Sequence, residues 1–303
     1  MRAREWLLLV LLSILWGGTF FVVAIAVKEL PTLTLVLCRC LIAALLLAPV
    51  VWAMGLKMPA TRSVWREFAV LSVFNNIIPF SLIFYAQTIV PSGLASVLNA
   101  TTPLFALLVA WWFAGDPLPF NKLAGVVLGI AGIVVLIGPS AMSSSPANAL
   151  GMLAVLAASL SYGVSGLWGR RLKAYPPLVT SLSQLTCSSL LLIPIAGVSD
   201  QFWRLPWPSA NVVWAVVSLA ALSTALAYIL FFEIMAKAGS ANVMLVTLLI
   251  PFSAIALGAV YLGEALTWQQ ALGGLIIGAG LLVIDGRLFG IAPFVQPTPT
   301  TKV

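Results

Sequence analysis

Two long apolar stretches decide the fold: FYAQTIVPSGLASVLNATTPLF at residues 84–105 and FFEIMAKAGSANVMLVTLLIPF at residues 231–252. Each contains a pair of small residues, Ser92-Gly93 or Gly239-Ser240, and a proline near its end. They match at an offset of 148 residues, and the paired positions include Phe84/Phe232, Ser92/Ser240 and Pro103/Pro251. The chain therefore carries a long internal duplication.

The duplication extends outward from these stretches. Residues 75–137 align with 223–285 at the same offset, so that the turn Gly115-Asp116 recurs as Gly263-Glu264. Nearer the N-terminus, an offset of 146 pairs Trp16-Gly17 with Tyr162-Gly163 and Pro31 with Pro177. We predict a first repeat over residues 1–138, a second repeat over residues 149–284, and a flexible cytoplasmic tail over residues 286–303.

Composition indicates where this duplicated chain resides. Of its 303 residues, 62% are hydrophobic and 8% are charged, whereas an ordinary soluble domain has about 25% charged residues. So few charges cannot coat a soluble protein of this size. The composition excludes a soluble globular protein, a disordered chain and a nucleic-acid-binding module, despite the net charge of +7.

Ten segments are long and apolar enough to cross a bilayer, which requires about 20 residues per helix. The predicted spans are residues 6–27, 32–54, 68–90, 93–113, 121–138, 149–169, 175–196, 211–235, 241–262 and 268–284. The intervening gaps are too short for a soluble domain. The basic start and the Ala24-Ile25-Ala26 triplet leave a cleaved signal peptide as an alternative for the first span, but the length of the span and its place in the repeat favour a helix that is kept.

The basic residues predict the orientation of the spans, because cytoplasmic loops are enriched in Lys and Arg. With the N-terminus in the cytoplasm, two basic residues (Lys28 and Arg204) lie outside and Arg39 lies within the second span. The cytoplasmic side then carries 12 basic residues, namely Arg2, Arg4, Lys57, Arg62, Arg66, Lys122, Arg170, Arg171, Lys173, Lys237, Arg287 and Lys302. We therefore predict a multi-pass protein of the bacterial inner membrane with both termini cytoplasmic.

Five spans per repeat is an odd number, so the second repeat starts on the opposite side of the membrane. The predicted fold is an all-α membrane protein with ten transmembrane helices in two inverted five-helix repeats. Many secondary transporters have this architecture, with a substrate site between the repeats near the midplane. The alternative is that the duplication merely produced a stable bundle.

The same features resemble the EamA family of the drug/metabolite transporter superfamily. The resemblance rests on the early Trp16-Gly17, on Arg39 in the second helix, on both stretches quoted above and on the two glycine–acid turns, and it covers nearly the whole chain. Within the family, the overall pattern is similar to the YddG-type exporters of aromatic amino acids. The resemblance implies a ten-helix transporter with a small-molecule substrate.

Polar and aromatic side chains within the spans are the candidate substrate ligands, since such groups are costly in hydrocarbon unless buried against protein or water. The predicted substrate-binding residues are Trp16, Arg39, Asn76, Tyr85, Asn99, Tyr162, Ser165, Trp168 and Tyr228. The alternative is that the Asn and Ser side chains only join helices. Arg39 could bind a substrate carboxylate, or could instead anchor its own helix.

Prolines and glycines suggest which helices move and which stay packed. Pro79, Pro103 and Pro251 lie inside predicted spans, where proline kinks a helix, and we predict that they serve in gating. A static bend is the alternative. The pairs Gly125/Gly129 and Gly274/Gly278 predict close helix packing, within a monomer or in a homodimer.

We predict a transporter that exports small amphipathic metabolites, most of all aromatic and other hydrophobic amino acids, by alternating access at a central cavity. Drugs, purines or other small metabolites are the alternative substrates. An intramembrane enzyme or a structural membrane protein is the alternative from another class. An enzyme would need paired acids, a Ser–His pair or a metal cluster at depth, and we predict neither catalytic residues nor a metal or cofactor. Histidine is absent and no acid lies at mid-depth, so proton coupling is not expected.

Overall fold

The computed structural model describes residues 3–143, 146–243 and 245–286. The predicted tail, apart from Gly286, and the basic residues Arg2, Arg287 and Lys302 lie outside this part of the chain. Within the described residues the secondary structure is entirely helical. The predicted all-α fold is confirmed.

Ten long helical segments follow one another within the described residues. They are α1 (Ala3–Ala26), α2 (Thr32–Ala53), α3 (Arg62–Ala86), α4 (Ser92–Ala114), α5 (Phe120–Ser143), α6 (Pro146–Gly169), α7 (Pro177–Asp200), α8 (Ala210–Ala238), α9 (Val246–Leu262) and α10 (Trp268–Asp285). A short helix, Ser240–Val243, precedes α9. Within the part of the chain that the structure describes, nine of these segments are individually long and apolar enough to cross a membrane, and α9 is a shorter apolar helix.

The predicted bounds of the third span differ from the structure at both ends. The third span was expected at residues 68–90, but α3 starts at Arg62 and ends at Ala86. Its first turns are amphipathic and have a low mean hydropathy, so a search for apolar stretches misses them. At its other end, the Gln87 side chain leaves the helix face and donates from Nε2 to the Phe20 carbonyl over 2.7 Å.

Prolines and glycines delimit the helices as their backbone preferences require. Pro31 and Pro91 adopt extended conformations immediately before α2 and α4, because the proline ring fixes φ and cannot continue a preceding helix. Gly115 and Gly263 end α4 and α9 with the same left-handed φ of 67°, which glycine adopts without steric cost. The two glycine–acid turns predicted from the duplication therefore have one geometry.

The helices pack in a pattern that maps one repeat onto the other. The most extensive contacts join α5 with α10 and α2 with α7, which are the equivalent helices of the two repeats. Helix α1 packs on α8 and α9, and its counterpart α6 packs on α3 and α4. Each helix of these pairs thus finds its partner in the other repeat, and the predicted two-repeat membrane fold is confirmed.

Paired glycines allow the closest approaches in this arrangement. A Cβ at Gly17 would lie 2.9 Å from the Ala254 nitrogen, and a Cβ at Gly163 would lie 3.0 Å from the Ala106 nitrogen. These are matching positions in the two repeats. Both helices therefore need a residue without a side chain at the point where they cross.

The interface of α5 and α10 also depends on glycine. A Cβ at Gly125 would lie 2.6 Å from the Gly280 carbonyl oxygen, and a Cβ at Gly132 would lie 2.8 Å from the Gly273 carbonyl oxygen. The predicted close packing thus occurs within one chain. On α10 the contacting glycines are Gly273 and Gly280, rather than the predicted Gly274/Gly278 pair, because a Cβ at Gly278 would meet nothing within 4 Å.

Candidate functional site

A buried arginine lies where four helices from both repeats meet. The Arg39 side chain on α2 is 6% exposed, and its Nε donates to Thr224 Oγ1 on α8 over 3.0 Å. Its guanidinium carbon lies 3.8 Å from the centroid of the Phe80 ring on α3, within the range of a cation–π interaction. It also interacts electrostatically with Tyr162 on α6 and Tyr228 on α8. We call these five residues the Arg39 cluster.

No acid shares the depth of the Arg39 cluster. All eight acidic residues of the chain lie in loops or within six residues of a helix end, and they are Glu5, Glu29, Glu67, Asp116, Asp200, Glu233, Glu264 and Asp285. Among the described residues, Arg39 is the only basic residue that lies more than six residues from a helix end. A buried ionisable group in a membrane is costly unless it is paired, and it commonly marks a functional site.

Two π-helical segments flank the cluster at equivalent positions of the repeats. They are Val73–Ile77 in α3 and Ala221–Leu226 in α8, and π segments within helices are frequent at functional sites. In α8, the Thr224 hydroxyl donates to the Leu219 carbonyl over 2.9 Å, which leaves its oxygen free to accept from Arg39. The widened turn thereby fixes the orientation of the threonine that holds the arginine.

The π segment of α3 contributes Asn75 and Asn76 to a polar network that joins α3, α6 and α7. Asn75 donates from Nδ2 to Gln184 Oε1 over 2.9 Å and accepts from the Ser165 hydroxyl over 3.0 Å. Asn76 is fully buried and donates from Nδ2 to Ser188 Oγ over 2.9 Å. Asn76 and Ser165, both predicted ligands, thus have protein partners, and their hydrogen bonds connect helices as polar groups in membranes often do.

The aromatic candidates divide into two locations. Trp16 on α1 packs against Phe231 on α8 with ring centroids 5.5 Å apart, one turn from Tyr228 of the cluster. Trp168 lies at the far end of α6, where it packs on the small apolar cluster around Phe68 and the Arg171 guanidinium lies 4.0 Å from its ring centroid. Trp16 therefore contacts a residue that lies one turn of α8 from the Arg39 cluster, whereas Trp168 lies at the end of α6.

Two further candidates differ in burial. Tyr85 is 40% exposed near the end of α3, because it falls on the helix face opposite the core residues Ile83 and Phe84, and the structure does not bring it to the cluster. Asn99 lies where α4 breaks, between Ser92–Asn99 and Thr102–Ala114. Its Oδ1 is buried with no hydrogen-bond partner among the described residues.

The three candidate gating prolines occupy different settings. Pro79 follows the π segment of α3, and the Ser161 hydroxyl donates to the nearby Phe74 carbonyl over 2.8 Å. Pro103 stands two residues beyond the break in α4. Pro251 lies inside the continuous helix α9, whose own discontinuity comes earlier, before Val246.

Carboxylates join the two repeats at one end of the bundle. Glu264 accepts from the Ser92 nitrogen, the Ser92 hydroxyl and the Gly93 nitrogen over 2.9, 2.7 and 3.1 Å. Asp200 accepts from the nitrogen and hydroxyl of Thr34 over 2.7 and 2.8 Å. Each acid thus caps the first turn of a helix in the other repeat, where the unpaired N–H groups and the helix dipole favour an anion.

A third carboxylate at this end binds in the same way. Glu29 accepts from the nitrogen and the hydroxyl of Ser209, both over 2.7 Å, at the start of α8. These hydrogen bonds lower the pKa of Glu29 below its usual value, because they favour the charged form. We call the contacts of Glu29, Asp200 and Glu264 the carboxylate clasps.

Arginines join the repeats at the opposite end. Asp116 accepts two hydrogen bonds from Arg170, over 3.1 and 2.6 Å, and this contact lowers the pKa of Asp116. Glu233 pairs with Arg4 over 3.0 Å. We call these contacts the arginine clasps. The repeats are therefore held together at both ends, by different chemistry.

The sequence analysis did not identify Thr224 and Phe80, which contact the Arg39 side chain, as candidate ligands. It missed the partners on α7, Gln184 and Ser188, because a helix that carries many serines shows no outstanding position. The carboxylate clasps also escaped notice, since their partners are more than 160 positions away in the chain.

The fold and its central cluster define a class: a multi-pass membrane transporter built from two five-helix repeats. Comparison with known proteins specifies the family. The model of the EamA-like transporter family matches residues 4–138 and again residues 149–285, which together make up most of the chain. The protein belongs to this family. Membership indicates a small-molecule substrate and a bilayer environment, and a transporter rather than an enzyme.

Individual relatives agree along nearly the whole length. The chain is 28% identical to the uncharacterized inner membrane transporter YedA of Escherichia coli, over 94% of this chain and 92% of that protein. It is 27% identical to the protein PecM of Dickeya dadantii, over 93% of each. A solved crystal structure superposes with a TM-score of 0.65 at 21% identity, over 93% of this chain and 97% of the other, which supports the fold alone.

Proposed function

We propose that the protein exports small amphipathic metabolites, above all aromatic and other hydrophobic amino acids, from the cytoplasm of a bacterial cell across the inner membrane. The observation that carries the proposal is the Arg39 cluster. A buried guanidinium without a carboxylate partner lies between aromatic rings at the junction of the two repeats. Such a site offers a charge for a substrate carboxylate and apolar faces for a substrate ring.

Each part of an aromatic amino acid has a counterpart in the Arg39 cluster or on the helices that pack against its members. The guanidinium binds the carboxylate, since arginine forms paired hydrogen bonds with this group. The ring packs against Trp16 and Tyr228, in the offset or edge-to-face arrangements that aromatic side chains favour. Asn99 Oδ1, which is buried without a protein partner, accepts from the substrate ammonium.

Transport follows from alternating access between the repeats, as inverted-repeat transporters operate. We propose that the carboxylate clasps close the periplasmic end and the arginine clasps close the cytoplasmic end. The distribution of basic residues supports this orientation, with both termini in the cytoplasm. The π segments, the break in α4 and the prolines 79, 103 and 251 supply the places where helices bend.

The decisive experiment measures flux in proteoliposomes that contain the purified full-length protein. A panel of labelled substrates covers phenylalanine, tryptophan, leucine, glutamate, a purine and a cationic drug, each with and without a proton gradient. The proposal predicts flux of phenylalanine, tryptophan and leucine that persists without the gradient, and little flux of glutamate. Flux of the purine or the drug alone would instead establish the alternative substrates.

Matched tryptophan variants locate the site in the same assay. Replacing Trp16 by Leu removes a ring beside the cluster and should lower phenylalanine flux at least about tenfold, which corresponds to 1.4 kcal/mol. Replacing Trp168 by Leu removes an identical ring at the end of α6 and should leave the flux within about twofold. Equal effects of the two replacements would argue against a site at the Arg39 cluster.

A further inference from the structure

Among the residues that the structure describes, a single formal charge lies in the middle of the membrane-spanning bundle. Arg39 supplies it, and each of the eight acidic side chains of the chain lies in a loop or near a helix end. A carboxylate with no other charge would neutralise this site when it binds. A zwitterion would leave one positive charge, and a cation would leave two.

We infer that the Arg39 site selects ligands by net charge, so that aromatic monocarboxylates without a free ammonium bind more tightly than zwitterionic amino acids, and aromatic amines do not bind. This inference rests on the proposed function, in which the same site binds aromatic substrates. It adds the charge class of the preferred substrate. N-acylated aromatic amino acids and aromatic acids without an amino group belong to that class.

The geometry around the guanidinium leaves one edge for the carboxylate. Nε is engaged by Thr224 over 3.0 Å, and one face is covered by the Phe80 ring with its centroid 3.8 Å away. Among the described residues, the two terminal nitrogens make neither a hydrogen bond nor a salt bridge. A planar carboxylate fits these two nitrogens in the paired arrangement that arginine favours.

The protein offers the substrate ammonium only neutral acceptors. Asn99 Oδ1 on α4, which is buried without a hydrogen-bond partner among the described residues, carries no charge, and the tyrosine hydroxyls of the Arg39 cluster are neutral as well. Charges interact more strongly in a dry interior than in water, so an ammonium held close to Arg39 is repelled. A ligand whose nitrogen is acylated avoids this repulsion and keeps its ring and carboxylate.

Thr224 is a positioning residue in this arrangement. It holds Nε through the oxygen that the π segment presents, and it thereby turns the terminal nitrogens toward the ligand. Replacing Thr224 by Val keeps the shape and removes the acceptor. We expect the affinity for monocarboxylates to fall while the affinity for a neutral analogue stays unchanged, a split that a purely structural defect would not produce.

Four phenylalanine derivatives with the same ring test the inference by calorimetric binding to the full-length protein. They are N-acetylphenylalanine (anionic), phenylalanine (zwitterionic), N-acetylphenylalaninamide (neutral) and phenethylamine (cationic). We expect N-acetylphenylalanine to bind at least about tenfold more tightly than phenylalanine and than the neutral amide, and phenethylamine to show no binding. Equal affinities for the anion, the zwitterion and the neutral amide would overturn the inference and leave the proposed function standing.

Variants assign the charge selectivity to Arg39. Arg39→Gln should abolish the preference for N-acetylphenylalanine over its amide, whereas Arg39→Lys should retain a weakened preference. Lys28→Gln removes one positive charge from a loop and should leave the preference for N-acetylphenylalanine over its amide at the parental level. If Arg39→Gln does not fold, the ranking of the four ligands on the unmodified protein still decides the inference. Failure of all four ligands to bind would refute the proposed function itself.

Discussion

The carboxylate clasp at Glu264 is the contact whose removal has the most direct consequence for gating. The Glu264 side chain accepts three hydrogen bonds from Ser92 and Gly93 at the start of α4, over 2.7 to 3.1 Å. Glu264→Gln removes the charge and turns one acceptor into a donor that faces an N–H group. Loss of a helix cap costs about 0.5–2 kcal/mol, and a charge-assisted hydrogen bond contributes somewhat more.

For this partly exposed site we expect a loss of about 2 kcal/mol, which is about a thirtyfold change in the opening equilibrium. Hydrogen–deuterium exchange in nanodiscs measures this change at residues 92–98, whose amides should exchange about thirtyfold faster. Gly258→Ala should have a similar effect, because the added Cβ would lie 2.6 Å from Glu264 Oε2.

Asp116→Asn provides the matched comparison, since it weakens an arginine clasp at the opposite end of the bundle. It should leave exchange at residues 92–98 within about twofold of the parental rate. If Glu264→Gln left the same rate unchanged, the clasp would not hold that end shut. If Asp116→Asn raised the rate equally, the faster exchange would not be specific to the loss of the carboxylate clasp.

Three further predictions concern pH, hinges and packing. The hydrogen bonds with Arg170 lower the pKa of Asp116. The clasp therefore stabilises the fold fully above the usual aspartate pKa near 4, and this stabilisation is lost as the pH falls through the lowered pKa. Asp116→Asn should accordingly flatten the dependence of the melting temperature on pH between pH 3 and 6. Pro103→Ala and Pro251→Ala should each slow transport while the substrate affinity stays within about tenfold of the parental value. The two variants should bias cysteine accessibility toward opposite sides of the membrane, and the effect should be larger at Pro103 because α4 is broken there. Transport at the parental rate in both variants would mean that the prolines only bend the helices statically. Gly17→Ala should destabilise the fold by about 1–3 kcal/mol through overpacking, whereas Gly18→Ala, whose Cβ would meet only Leu257 at 3.8 Å, should melt close to the parental temperature.

Much of the fold could be predicted because its signals are local or repeated. Hydropathy locates each span, and the duplication identifies equivalent positions, so that Gly115 and Gly263 could be paired before their shared φ was seen. The start of α3 at Arg62 was not predicted, because an amphipathic first turn has low mean hydropathy. The division of the ninth span before Val246 escaped because apolarity continues through it.

The candidate site was predictable only in part, because spacing along one helix does not reveal the partner across the bundle. Arg39, Tyr162 and Tyr228 could be proposed from depth and residue type, and the structure brings them together. The same criteria selected Tyr85, which the orientation of its helix leaves exposed. They also selected Asn76, whose amide donates a hydrogen bond to Ser188. No local sequence pattern predicts that partner.

The central claim is that a substrate site between the repeats opens alternately to the two sides of the membrane. The most direct test uses the variant Tyr228→Cys, which is labelled with an impermeant maleimide in right-side-out and in inside-out vesicles. The labelling of the parental protein gives the background. The account predicts labelling above background from both sides, slowed from both by N-acetylphenylalanine. Labelling from one side only, or from neither, would contradict it.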